Sequence, residues 1–251
     1  MTRHALITGA GSGIGEVISR QLHAEGYRVS LVGRRIEPLQ TLSTSLGSGS
    51  QAVAGDVTDR AGMVECFATA REHLGDIDIL VNCAGMAPTA PFHRLDFTEW
   101  QRTMDVNVNG VFHCTQIALE NMLNAGWGRV INIASVASLR GFPYVSGYCA
   151  SKHAVLGMTR ALALEVATRG ITVNAICPGY VDTDIVRTAI AEIVSKTGRT
   201  AEDALQHFTE SNPQGRLIKA SEVASAVMWL CSDGAASVTG QAVSIDGGGT
   251  A

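Results

Sequence analysis

No run of basic residues, no Cys-x-x-Cys pair and no apolar stretch of membrane-spanning length occurs in these 251 residues. Each absence excludes a class. With a net charge of −4 and no basic cluster, a nucleic-acid partner is not expected. No segment approaches the 18 or so apolar residues of a transmembrane helix, and Met1-Thr2-Arg3-His4 runs straight into the short "ALIT", too brief for a signal peptide. The cysteines, Cys66, Cys83, Cys114, Cys149, Cys177 and Cys231, are scattered. They read as reduced, buried thiols of a cytoplasmic protein rather than as a disulfide framework or a zinc site. The histidines show no paired metal spacing, so no metal is expected. Proline- or serine-rich linkers, internal repeats and low-complexity tracts are missing too, which leaves one domain over 1–251.

What is present is a hydrophobic fraction of 46% with 17% charged residues and 27 glycines, the composition of a chain that buries a full core. Short β-branched runs near 4–8, 28–32, 51–54, 77–81, 128–133, 171–176 and 241–245 alternate with helical patterns near 13–25, 36–46, 60–74, 98–124, 148–169 and 221–231. That alternation predicts βαβ units: an α/β fold with a doubly wound, seven-stranded parallel sheet. The polar stretch 184–212 between two strands has weak helical periodicity and reads as a lid over the ligand crevice at the strand ends.

Directly after the first strand comes "ITGAGSGIGEVISRQL", in which Gly9, Gly13 and Gly15 lead into a helix. Between a first strand and a first helix, such a string permits a tight turn and lets backbone approach a pyrophosphate at the helix N-terminus. At the end of the second strand, where an acid would take the ribose hydroxyl of NAD, the chain reads Gly33-Arg34-Arg35. Two guanidiniums suit the 2′-phosphate of NADP(H). The alternative is a solvated loop with Glu37 serving NAD(H). In "SGYCASKHAVLG", Tyr148 and Lys152 stand four apart at a helix start, so an ammonium lies beside a phenol and is expected to lower its pKa.

These stretches, with "DVTD" (56–59), "NCAG" (82–85), "NVNG" (107–110), "INIAS" (131–135) and "CPGYVDT" (177–183), resemble the short-chain dehydrogenase/reductase family over essentially the whole chain. The resemblance implies a single-domain Rossmann fold and hydride transfer between a nicotinamide and a carbonyl or secondary alcohol. It implies a catalytic tetrad of Asn107, Ser135, Tyr148 and Lys152: Tyr148 moves the proton, Lys152 stabilises the phenolate and anchors the ribose, Ser135 holds the substrate oxygen, and Asn107 kinks the fourth helix and holds a water. Ser138 rivals Ser135, which is preferred because it closes "VINIAS" and lies 13 residues before Tyr148. Cofactor contacts are implied for Gly9, Ser12, Gly13, Ile14, Gly15, Asp56, Val57, Asn82, Ala84, Gly85, Pro178, Gly179, Val181 and Thr183, with Arg34 and Arg35 on the phosphate. Two departures stand out: Cys83 replaces a second Asn, and Ser12 stands where many NADP-using relatives carry a base.

The expected substrate wall, Phe92, Leu139, Phe142, Tyr144, Val145 and Ile185, is apolar and suits a hydrophobic, cyclic or aryl ketone, or an acyl chain presented on a carrier. A 3-hydroxybutyrate dehydrogenase is expected to carry Gln near 87 and His near 137, and both are Ala here. A non-catalytic nucleotide sensor need not keep the whole tetrad. Apolar residues on more than one face of the helices near 98–124 and 148–169, with the resemblance, imply a homotetramer.

Overall fold

Eight consecutive buried residues form the strand Ile171–Pro178, and a strand buried on both faces needs helices on both sides of its sheet. The computed structural model describes residues 2–210 and 212–251 and has that arrangement. Strands β1 (His4–Thr8), β2 (Arg28–Gly33), β3 (Ser50–Ala54), β4 (Ile79–Asn82), β5 (Gly128–Ile133), β6 (Ile171–Pro178) and β7 (Ala242–Ile245) form one parallel sheet in the order β3-β2-β1-β4-β5-β6-β7. Helices α1 (Gly13–Ala24), α2 (Ile36–Leu46) and α9 (Ala220–Cys231) cover one face through Ile18, Leu22, Leu39, Val223 and Leu230. Helices α3 (Arg60–Leu74), α5 (Gly110–Ala125) and α6 (Ser146–Val166) cover the other through Met63, Phe67, Ile117, Met122 and Ala163. The predicted seven-stranded, doubly wound α/β fold is the observed one.

The chain winds outward from β1 to β3 and then crosses back to β4. The C-terminal ends of β1 and β4 therefore part their loops and open a crevice. Thr8, Asn82 and Ile133 end the three strands that border it.

Two segments differ from the periodicity. The single helix expected near 98–124 is α4 (Phe97–Met104) and α5 joined by a π turn at Asp105–Asn109. Such a turn inserts a residue and swings one side chain off the regular face; here Asn107 is turned fully into the interior. The stretch 184–212 contains two helices, α7 (Asp184–Thr197) and α8 (Ala201–Thr209), the latter capped by Thr200 Oγ1 accepting from the Asp203 amide at 3.1 Å.

The glycine loop shows why its residues are small. Gly9 has φ +68, and a Cβ there would lie 2.9 Å from the Ala84 backbone. A Cβ at Gly15 would meet the Gly9 carbonyl oxygen at 2.3 Å, backbone against backbone, with no flexible side chain to yield. Gly15 lies inside α1, where helix propensity alone favours Ala by ~1 kcal/mol. Gly15→Ala is expected to destabilise instead, by roughly 1–3 kcal/mol, because the clash outweighs propensity. Chemical denaturation reads the sign directly, and a stabilised variant would refute the close packing.

Candidate active site

Helix α1 begins without a side-chain cap: the Ser12 hydroxyl makes no capping bond, although its carbonyl accepts the Glu16 amide. Its first-turn amides face the crevice end of β1, between a left-handed Gly13 (φ +57) and Thr183, whose methyl would be 3.5 Å from a Cβ at Gly13. An uncapped, glycine-lined helix start fits a pyrophosphate. Ile14 packs against the core beneath it. Across the crevice, Thr8 Oγ1 accepts the amides of Cys83 and Ala84 at 3.0 and 3.1 Å, which fixes the β4 loop against β1. A Cβ at Gly85 would approach Asn107 Oδ1 at 3.4 Å and Lys152 Nζ at 3.7 Å. On the far side, the Gly179 amide, just after Pro178, donates to Ile245, Val181 bridges Ile218, and Thr183 forms the N-cap of α7.

A cavity of about 360 Å³ opens at the outer end of the crevice, lined by Arg34, Asp56 and Thr58 on one wall and by Phe97, Gln101, Arg102 and Asp105 on the other. Asp56 Oδ1 accepts from Thr58 N and Oγ1, and Val57 is held from behind by Gly110. Arg35 sits at the N-cap of α2 and is not among the lining residues, so only one of the two expected guanidiniums faces this space. The Asn82 side chain is buried, and its Nδ2 donates to Thr115 Oγ1 (3.0 Å) and Asn132 Oδ1 (2.8 Å), so the amide is used to lock the sheet to α5.

The four residues expected to act together are brought together at the ends of β4 and β5. Ser135 lies close enough to Tyr148 for its hydroxyl to favour the phenolate, and Ser135 Oγ accepts the Ala137 amide at 3.1 Å. Lys152 is only 6% exposed, and its Nζ donates to the Ile133 carbonyl at 2.8 Å, 5.7 Å from the centre of the Tyr148 ring. Asn107 Nδ2 donates to Met86 O (2.9 Å) and Ser151 Oγ (3.0 Å), its Oδ1 accepts the Met86 amide (2.9 Å), and Ser151 in turn donates to Tyr148 O (2.8 Å). The side chain of Asn107 thus braces the β4 loop against α6. The rival Ser138 is buried, with its hydroxyl beside the Cys177 thiol.

The electrostatics correct one expectation. Burial raises the Tyr148 phenol above its usual value, while the Ser135 hydroxyl works against that shift. The ammonium does not offset it: burial brings Lys152 itself down from 10.5 to about 8. Burial also pushes the Cys83 thiol up to about 12, so the residue replacing Asn is an inert packing thiol.

The substrate side differs more. A small cavity of about 20 Å³ beside Ser135 is lined by Val136, Arg140, Phe142, Gly179, Tyr180, Asn212, Asp246 and Gly249. Of the expected apolar wall only Phe142 is among them. Phe92 and Tyr144 are 75% and 66% exposed, Leu139 is exposed, and Val145 is half-buried. The side chains of Ile185 and His207 lie outside the described residues. Tyr180 packs edge-on against Phe208 of α8 at 5.0 Å, which ties the 184–212 segment to this cavity. The wall is therefore half polar. Its polar members come from loops far apart in sequence, and no periodicity marked them.

Fold and crevice define a dinucleotide-binding α/β protein. The short chain dehydrogenase family model matches residues 3–193, and the chain belongs to that family. It is 37% identical over 257 residues to the D-beta-hydroxybutyrate dehydrogenase of Rhizobium meliloti, covering all of both chains. It is 35% identical to the 3-oxoacyl-(acyl-carrier-protein) reductase FabG of Haemophilus influenzae, over 97% of this chain and 96% of that one. A crystal structure of actinorhodin polyketide ketoreductase with NADPH superposes with a TM-score of 0.95 at 38% identity, covering 100% of this chain and 98% of the other. The protein is accordingly an oxidoreductase acting on CH–OH or carbonyl groups, in a family that binds NAD(P). No helix among the described residues is long and apolar enough to cross a membrane.

The buried Lys152 generates a stability prediction. Its folded-state pKa, about 8, lies below the unfolded value of 10.5, so folding disfavours the ammonium. The penalty is complete below about pH 8 and fades as pH rises from 8 to 10.5, where the unfolded chain binds the extra proton. Lys152→Met should therefore stabilise the cofactor-free protein at pH 7 by roughly 1–3 kcal/mol, an advantage that shrinks toward pH 10. Thermal melts across this range test it; a variant no more stable than the parent at pH 7 would show that the ammonium is not penalised.

Proposed function

We propose that the protein is an NADP(H)-dependent reductase of hydrophobic ketones, with 3-oxoacyl or cyclic ketones as the substrate class. The observation that carries this reading is the convergence of Ser135, Tyr148 and the buried Lys152, whose Nζ lies 5.7 Å from the Tyr148 ring centre, at the crevice. The bound nicotinamide supplies the hydride in reduction and accepts it in the reverse direction.

The residues divide the remaining work. Ser135 Oγ accepts the Ala137 amide, which leaves its own hydrogen to hold the substrate oxygen. Tyr148 gives its phenolic proton to that oxygen as the carbonyl carbon becomes tetrahedral. A phenol raised by burial is well suited to stay protonated until then. Lys152, which uses one N–H on Ile133, has two others for the ribose hydroxyls and lies close enough to stabilise the phenolate. Asn107 holds the Met86 loop and α6 in register. The uncapped start of α1 takes the pyrophosphate, and Arg34 takes the 2′-phosphate, which favours NADP(H) over NAD(H). The 184–212 segment closes over the substrate as a lid, and the FabG relative's name supports a carrier-bound acyl group as one form of substrate.

A ketone panel run with both cofactors tests this. Tyr148→Phe should keep the fold and cofactor binding while turnover falls at least ~10²-fold. Arg34→Ala should shift the preference toward NADH by about tenfold or more, with Arg35→Ala having the smaller effect. Near-parental turnover by Tyr148→Phe would sink the assignment.

Phe112 on α5, Leu164 on α6 and Trp229 on α9 are large apolar side chains left on the surface, with Leu164 82% exposed. They support a homotetramer built on these helices. Light scattering at micromolar concentration should give four times the chain mass; a monomer there would exclude it.

A further inference from the structure

Arg140 is a cation without a partner at the edge of the reaction site. It follows Ser135 by five residues, past the short turn Val136–Ser138, and lines the small cavity with Val136, Phe142 and Tyr180. Among the described residues its exposed side chain forms no ion pair and no hydrogen bond; its guanidinium stacks over the Phe142 ring at 4.8 Å. Stacking fixes the plane of the guanidinium and leaves the N–H edge open. Asp246 shares the cavity wall, but its oxygens are engaged within its own loop, Oδ1 by the Gly248 amide at 3.0 Å and Oδ2 by Thr250 Oγ1 at 2.6 Å.

We infer that Arg140 recognises a carboxylate on the substrate, so that the preferred ketones are oxo acids with an apolar body. This rests on the reading of Ser135 and Tyr148 as the groups that hold and protonate the carbonyl oxygen. Three observations converge on it. The open guanidinium fork matches a carboxylate in geometry and charge. The cavity begins at Val136, next to Ser135, so a group bound there belongs to the same molecule as the carbonyl. Val136, Arg140 and Phe142 come from one short segment, so the guanidinium is held at a fixed place relative to Ser135. Phe142 and Tyr180 meanwhile flank the space between the two polar ends, which suits an aryl or alkyl body.

The test compares benzoylacetate with its methyl and ethyl esters, which share the aryl ketone and replace the carboxylate with neutral esters of two sizes, so that charge and bulk are separated. Initial rates with NADPH give the ratio of kcat/KM for acid over each ester in the parent, Arg140→Gln and Arg140→Lys. The parent ratio should exceed one and fall at least ~10-fold in Arg140→Gln, with Arg140→Lys in between because it keeps the charge but loses the fork. The change should appear mainly in KM, and raising the salt concentration should narrow the parent's preference. A parent that favours either ester, or an Arg140→Gln variant with an unchanged ratio, would overturn the inference while leaving the reductase reading intact. Turnover of none of these compounds nor of any ketone in the wider panel would overturn both.

Discussion

A lysine ammonium buried with only a backbone carbonyl for company is the constraint around which this site is arranged. Lys152 has no carboxylate partner among the described residues; its one hydrogen bond goes to Ile133, at the end of β5. Taking a cation out of water without a counter-charge costs several kcal/mol unless something else compensates. Here that cost shows as a pKa brought down to about 8, and at neutral pH the protein carries it in full. An ammonium held in this way, with two N–H groups not used on the protein, is predisposed to meet acceptor hydroxyls brought to it.

Holding such a group in place demands rigid surroundings, and the sheet provides them. Residues from β4, β5 and α6 meet because the strand order reverses between β1 and β4. A hydrogen-bonded ladder, from Thr115 through Asn82 and Asn132 to Thr159, runs beneath the site and joins α5 to α6 across two strands. The π turn adds the crosslink above: Asn107 reaches both Met86 and Ser151. Each amide in these networks meets complementary partners on more than one element. A small displacement of α6 would break several bonds together, which makes the position of Tyr148 well determined.

What was legible beforehand follows from the range of the forces involved. Fully buried, mostly apolar strands such as β6 and the left-handed glycines at 9 and 13 announce themselves locally, because burial on both faces and positive φ each leave few residue choices. The i, i+4 relation of Tyr148 and Lys152 is a property of one helix and was equally readable. The direction of the phenol's shift was not, because it depends on desolvation by elements remote in sequence. The stretch around Asn82 is expected to line the cofactor from the motif alone, whereas the use of its buried side chain, donating to both Thr115 and Asn132, depends on elements remote in sequence. Arg35 was paired with Arg34 by adjacency, yet consecutive residues at the start of α2 point apart and only Arg34 borders the cavity. Phe92 and Tyr144 were assigned by their apolar character, whereas Asn212, Asp246 and Gly249 reach the substrate side through loop closure that no pattern in the chain encodes.

The two ends of the crevice differ in their charges. The open cavity at the outer end carries both signs, Arg34 and Arg102 beside Asp56 and Asp105. Water screens each of these charges, so a guanidinium there counts most where an anion can be held by its fork. Near Ser135, Arg140 is exposed and stacks on the Phe142 ring, with Asp246 already engaged by its own loop. A guanidinium whose plane is fixed by one ring and whose edge is open favours a planar, two-pronged acceptor. The loop after Ser135 carries Arg140 and Phe142, while the buried hydrogen bonds that fix Asn107 and Lys152 lie on other elements. Residues of that loop can therefore change with those bonds left in place.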